Sequence, residues 1–432
     1  SSTVLEELRD YILDHYGFGD FIFKLPRGKQ IARASDMREM VRVLTTIPDT
    51  SVGYPASGNL CAAGFMARSE FERASSIRPR KVSEFATAAD LRGYLIATMT
   101  TYLRSIQRHV ITDFDGSRFD EFVAFARIGT GSLGGKGRGL AFMHKLLARE
   151  NLQLPGVEIA VPQTVVLASD VFEEFLDAND LRRMSHDAEE MSDAEILDAF
   201  RRGRFPDGYR EQLTQLLEIL QQPLAVRSSS ILEDSVYQPF AGVYATIMLP
   251  NSHSSPDVRL AQLVEAIKTV YASTYYRQSR AYIDTTPHRI EEEVMAVLVQ
   301  RLVGRHRGSR FYPTLSGVAA SDNFYPFGNM KPSDGVAQIA LGLGKSVVEG
   351  FEALRFCPAH PQVLPQFSTT SDILRNAQRR FYALDMSRDD VIPGVEPDAN
   401  LIRLETTEAV ADGAATPIAS TYRRADDRIT SG

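Results

Sequence analysis

Leu224-Ala-Val-Arg-Ser-Ser-Ser-Ile-Leu-Glu-Asp-Ser235 sets an arginine and three consecutive hydroxyls directly after a short apolar run, and Phe240-Ala-Gly242 closes the segment. The pattern predicts a strand ending in an anion site. A guanidinium can hold two phosphate oxygens in parallel bonds while hydroxyls and amides complete the shell. The competing reading is a surface turn in which Arg227 pairs with Glu233 or Asp234. A second candidate lies upstream, where Gly129-Thr-Gly-Ser-Leu-Gly-Gly-Lys-Gly-Arg-Gly139 carries one central lysine, Lys136, into a helix starting near Arg138. Unhindered amides, a helix N-terminus and a mobile cation suit an anion. The duller alternative is a glycine-rich hinge whose lysine points at water. Taken together, two such loops predict a polyphosphate ligand.

The glycine loop satisfies neither standard nucleotide motif. Gly129-x-Gly131-x-x-Gly134 matches the dinucleotide fingerprint formally, but the next expected strand runs into Pro162-Gln163 rather than ending in an acidic residue. A phosphate-binding loop of the Walker type needs glycine at position 130, which is threonine, and a hydroxyl residue after Lys136, where Gly137 stands.

Composition narrows the class. With 432 residues and 44% hydrophobic content the chain can bury more than one core, so two or three lobes are expected. Its two cysteines, Cys61 and Cys357, are too few for a disulfide framework, which points to a reducing compartment and a cytoplasmic protein. No apolar run approaches the roughly 20 residues that span a bilayer. A net charge of −7 argues against an extended nucleic-acid surface, leaving only local basic stretches such as Arg301 to Arg310.

Along the chain, residues 1–118 read as mostly helical. Apolar residues recur at helical spacing in Val4, Leu8 and Ile12, again in Met37, Met40, Val41 and Leu44, and through a long amphipathic segment from Ala88 to Val110. A first α+β lobe, 119–250, holds both loops. In it Val157 to Val161 is expected as a strand ended by Pro162, Ser169 or Asp170 as the N-cap of a helix, and Arg182 to Gln222 as a charged helical insertion. A second lobe, 251–432, follows the linker at Pro250 to Pro256, with a helix over 258–283 and strands over 294–303, 317–320 and 335–341. The stretch from Pro358 onward reads as proline-rich and irregular.

Five segments then stand in a familiar order: GGKGRGLAFM (134–143), LAVRSSSILEDS (224–235) with PFAG (239–242), MAVLVQRLV (295–303), SGVAAS (316–321) and GLGKSVVEG (342–350). In order and spacing they resemble the nucleotide-binding part of the phosphoenolpyruvate synthase and pyruvate phosphate dikinase family. The resemblance implies an α+β, ATP-grasp-like fold in which two lobes close on ATP with Mg²⁺. It further implies that Lys136 and Arg227 act on the phosphates. Gly134, Gly135, Ser228, Ser229 and Gly242 would line the nucleotide, and Gln300 would sit on a second-lobe strand bordering it. Glu349 and Gln338 would be the metal ligands.

The same resemblance implies partners. In such enzymes the pyrophosphoryl group goes to a histidine on a mobile domain and then to pyruvate in a separate barrel. None of the eight histidines has the glycine-rich context of that acceptor, and His186 is expected as a surface residue. A barrel would need about 250 further residues. The chain is therefore expected to be the ATP-binding portion of a longer enzyme served by phosphohistidine and pyruvate-binding domains. Two departures stand out. Lys345 follows Gly344 where the family has glutamate, which either moves a metal ligand or adds a cation at the triphosphate, and Asp322-Asn-Phe-Tyr-Pro-Phe-Gly328 replaces an Asp-Pro. Three rival readings remain open: a dikinase with another acceptor such as an antibiotic or a glucan, a non-catalytic ATP sensor, and a helical docking domain at the N-terminus on an inert scaffold.

Overall fold

The computed structural model describes residues 21–25, 29–51, 85, 87–106 and 111–431, apart from 118, 121–122, 151–153, 155–156, 158, 231–241, 287–288, 349–352, 390, 392–397 and 417. Val4, Leu8, Ile12, Cys61 and Glu349 lie outside these residues. The chain divides into one unit of residues 1–110 with 145–152 and another of 111–144 with 153–432.

In the first unit, β1 (Phe21–Lys24) and β2 (Gln30–Ala34) form an antiparallel hairpin, a strand pair absent from the mostly helical expectation. Helix α1 (Met37–Thr46) buries Met37, Met40, Val41 and Leu44, the stripe its spacing predicts. Its start is capped twice over. Asp36 accepts from the Glu39 amide at 2.8 Å, and Glu39 accepts from the Ser35 amide at 2.8 Å. Helix α2 (Ala88–Ile106) buries Leu91, Met99 and Leu103, and its Arg92 donates to the Ile47 carbonyl and pairs with Asp49 at 2.7 Å.

The second unit is built on a six-stranded sheet in the order β3 (Thr112–Asp113), β4 (Phe125–Ile128), β5 (Thr164–Leu167), β8 (Met295–Arg301), β6 (Leu224–Ser230) and β7 (Thr246–Leu249). The first three strands run parallel to one another and the other pairings are antiparallel. Two sequence expectations are corrected here. The strand near Pro162 follows that proline instead of preceding it, because Val165, Val166 and Leu167 are wholly buried whereas Val157 and Ile159 are exposed. Met295–Arg301, placed in the second lobe from sequence, lies in the middle of the first sheet, where an almost unbroken apolar strand fits a site covered on both faces.

Alternation divides this sheet into two faces. One carries Ala126, Ile128, Val165, Leu167, Leu224, Val226, Val297 and Val299. Against it pack α4 (Ser169–Ala178), α5 (Asp193–Arg202), α6 (Asp207–Ile219) and α7 (Pro256–Ser273), and α8 (Arg277–Ile283) adds Ile283 to the same core. The charged segment 182–222 is thus integral: Ile196, Phe200, Leu213 and Leu216 close the main core. The opposite face carries Phe125, Val166, Ala296 and Leu298, packed against Leu133 and, from α3 (Gly134–Glu150), against Leu140 and Ala141.

Beyond β8 a second core gathers Phe311, Tyr312, Leu341, Leu343, Phe381 and Leu384. It belongs to a four-stranded antiparallel sheet of β15 (Leu401–Glu405), β14 (Arg380–Asp385), β10 (Arg310–Tyr312) and β9 (Arg305–Arg307). Half of that sheet comes from the region read as irregular. A three-stranded sheet of β11 (Leu315–Ala320), β12 (Val336–Leu341) and β13 (Leu354–Phe356) adjoins it through Gly342, where a Cβ would lie 2.7 Å from the Tyr382 carbonyl oxygen. Asn400 donates to the Met248 carbonyl at 2.9 Å, tying this second body to the edge strand β7. Among the described residues no helix is long and apolar enough to cross a membrane.

Candidate functional site

Both loops meet at the end of β6. Lys136, in the first turn of α3, brings its Nζ to 3.2 Å from Ser228 Oγ and 3.3 Å from the Ser228 carbonyl oxygen. Ser229 Oγ accepts from the Gly137 amide at 2.9 Å and donates to the Leu133 carbonyl at 2.7 Å. The two motifs, far apart in sequence, are one structural joint.

Glycine at 134 is what allows the joint. Its φ is +66°, and a Cβ there would lie 1.7 Å from the Ser229 carbonyl oxygen, a backbone atom that cannot rotate away. Gly135 is buried in the following helical turn, where amides have no intrahelical acceptor. The loop amides themselves differ from the expectation that they are unhindered. Thr130 donates to Asp170, Ser132 to Ser169 Oγ, Gly134 to Ser132 Oγ and Gly137 to Ser229 Oγ. The glycines therefore serve close packing as much as anion contact.

Arg227 is half-buried on β6, with Thr246 opposite it on β7 and Leu298 on β8. Directly opposed residues share a face, so Arg227, Ser229, Leu298 and Gln300 lie on the side where α3 begins. Gln300 is buried, its Nε2 donating to Thr164 Oγ1 at 2.9 Å, and Thr164 Oγ1 in turn donates to the Pro162 carbonyl. Its amide locks β8 to β5. Gly242 is exposed at φ +81° with open space around a would-be Cβ, so its backbone angle alone calls for glycine.

The remaining sequence candidates fall elsewhere. Gln338 lies in β12 between Val318 and Arg355, and Glu349 lies outside the described residues. Among the described residues no cluster of three or more His, Cys, Asp or Glu side chains could hold a metal ion. Lys345 bonds to Asp398 and stands 5.6 Å from the centre of the Tyr382 ring, so this cation has a carboxylate of its own. His186 is exposed in the four-residue helix Met184–Asp187.

Ser169 and Asp170, one or the other of which the sequence offers as a helix N-cap, bond to the glycine loop. Helix α4 has Ala168 at its N-cap, and no side chain caps it. Ser169 and Asp170 turn instead toward the glycine loop, a role with no signature in local spacing.

Ser229→Ala is expected to leave a buried amide and a buried carbonyl unpaired, costing about 2–4 kcal/mol. Denaturant titration would show this as a lowered midpoint with an unchanged slope. A midpoint equal to that of the wild type would contradict the joint.

No match was found among curated proteins. The family described as pyruvate phosphate dikinase, AMP/ATP-binding domain, matches residues 130–416, which take in the glycine loop, the Arg227 strand, β8 and the second core. A match over well over half of the chain, laid on a mixed α+β body whose two motifs converge, shows that the chain belongs to the pyruvate phosphate dikinase AMP/ATP-binding domain family and is an ATP-binding module of a kinase-type phosphotransferase.

Proposed function

We propose that this chain binds Mg-ATP on the face of the six-stranded sheet that carries Arg227 and the start of α3. The first half of a dikinase reaction would take place there. The observation that carries this reading is the joint itself: Lys136 Nζ is held at the end of the strand that bears Arg227. On this reading both cations neutralise the β- and γ-phosphates, with Gly134, Gly135, Ser229 and Gly242 shaping the cradle, Ser228, whose side chain alternates to the other side of the strand, anchoring Lys136, and Gln300 bracing the floor. Catalysis is then positioning plus charge neutralisation. The fold works as an ATP-grasp: the six-stranded sheet is the first lobe, and the second sheet bodies from Arg305 onward are the second.

Transfer of the pyrophosphoryl group breaks the bond between the α- and β-phosphates. The electron pair stays with AMP, and the new bond is to a histidine nitrogen on a phosphohistidine domain elsewhere in the full-length protein. The terminal phosphate then passes from the pyrophosphohistidine to water or inorganic phosphate, the phosphoryl group left on the histidine goes to pyruvate, giving phosphoenolpyruvate, and the cytoplasm is the site of action. Mg²⁺ enters with the nucleotide, as part of the substrate. Gln338 could offer its amide oxygen to a hard cation, but Arg355 stands opposite it in the β ladder and no cluster of three or more His, Cys, Asp or Glu side chains is found among the described residues, so no step is assigned to a metal held by this chain.

Calorimetric titration of Mg-ATP into the purified chain tests the reading. Saturable binding is the expected result, and absence of binding by a folded chain would contradict it. Adding a phosphohistidine domain should then release AMP. Binding without AMP would favour a sensor over a dikinase.

A further inference from the structure

The glycine loop is held from outside its own motif. Directly after β5, the first two residues of α4 reach across to it. Thr130 donates both its amide, at 2.7 Å, and its hydroxyl, at 2.9 Å, to Asp170 Oδ2. Ser132 donates its amide to Ser169 Oγ at 2.9 Å, while the Ser169 amide donates to the Ser132 carbonyl at 2.9 Å. The contact is close along its length. A Cβ at Gly129 would lie 2.4 Å from Asp170 Oδ1, and one at Gly131 would lie 2.6 Å from the Asp170 amide nitrogen. Both glycines are thus required for the loop to lie on the start of α4.

A carboxylate beside a phosphate cradle would ordinarily repel the ligand. Here its charge is directed at the loop. Burial works to raise the Asp170 pKa, but the amides of Thr130 and Gly131, the Thr130 hydroxyl and the residue's own amide together outweigh it and hold the carboxyl below the usual aspartate value. Asp170 is therefore ionised at neutral pH. A carboxylate has acceptor capacity for several donors at once, whereas an asparagine side chain offers one neutral oxygen and a competing donor.

We propose that Ser169 and Asp170 are the positioning residues of the phosphate loop: they fix Gly129 to Ser132 so that α3 starts at Gly134 and Lys136 reaches the strand of Arg227. This rests on the Mg-ATP reading above. Neither residue touches the nucleotide. Their effect passes through Lys136, and so it falls on the phosphates and spares the nucleoside.

The test is a mutant cycle on the full chain, with Asp170→Asn, Lys136→Ala and the double variant titrated with Mg-ATP and, separately, with adenosine. Asp170→Asn should weaken Mg-ATP about tenfold, the size of one lost charge-assisted contact, and leave adenosine within about twofold. In the Lys136→Ala background the same substitution should add little further loss, because coupled residues are not additive. Equal weakening of both ligands, or losses that multiply in the double variant, would overturn the positioning role while leaving the Mg-ATP site standing. A wild-type chain that binds no Mg-ATP would overturn the site reading, and this inference with it.

Discussion

Gly134→Ala is expected to be strongly damaging. The new methyl would lie 1.7 Å from the Ser229 carbonyl oxygen, at a backbone angle, φ +66°, that L side chains rarely adopt. Backbone strain of about 1–3 kcal/mol and overpacking of about 1–3 kcal/mol add up, so a loss of about 2–6 kcal/mol follows. Relief by movement would pull α3 off β6, carrying Lys136 away from Ser228. Thermal unfolding should therefore fall by roughly 10 °C, and Mg-ATP binding should fall with it even below that midpoint. Gly139→Ala is the control, because a Cβ there meets nothing within 4 Å. A Gly134→Ala protein that melts like the control would show that the two motifs do not touch as described.

The second large effect concerns the cations. Lys136→Ala and Arg227→Ala should each weaken Mg-ATP by about 10- to 100-fold, the worth of a hydrogen bond to a charged group. The two differ in their cost to the fold. Lys136 contacts Ser228 from the helix start and can be removed with little change in stability, whereas Arg227 is half-buried between Thr246 and Leu298 and its removal also thins the sheet face. Calorimetry against Mg-ATP, with circular dichroism as the control for folding, reads both. Unchanged affinity in the Lys136 variant would remove the glycine loop from the site.

Much of this was legible in the sequence. The runs Leu224 to Val226 and Met295 to Val299 announce central strands because nothing polar interrupts them, and Lys136 and Arg227 stand out as cations in anion-binding contexts. What local pattern could not supply was partnership. Met295–Arg301 belongs between β5 and β6, a pairing set by long-range topology that no periodicity encodes. Pro162 reads as the end of a strand because proline disfavours continued pairing, yet the buried run Val165 to Leu167 begins just after it. The stretch from Pro358 onward reads as proline-rich and irregular, yet the alternation of buried Phe381 and Ala383 marks β14. Asp170 looked like a cap because aspartate at a helix start usually is one, and its contact with Thr130 lies 40 residues away. Lys345 allows two readings from sequence, a displaced metal ligand or an extra cation at the triphosphate, and its contact with Asp398, 53 residues on, is visible in neither.

The central claim is that one nucleotide site is made by the joint of the glycine loop with β6. A crystal structure of this chain with Mg²⁺ and a non-hydrolysable ATP analogue tests it most directly. The account predicts triphosphate density within hydrogen-bond distance of both Lys136 Nζ and the Arg227 guanidinium, on the sheet face that carries Leu298 and Gln300. Density on the opposite face or in the N-terminal unit, with Lys136 still resting on Ser228, would contradict it.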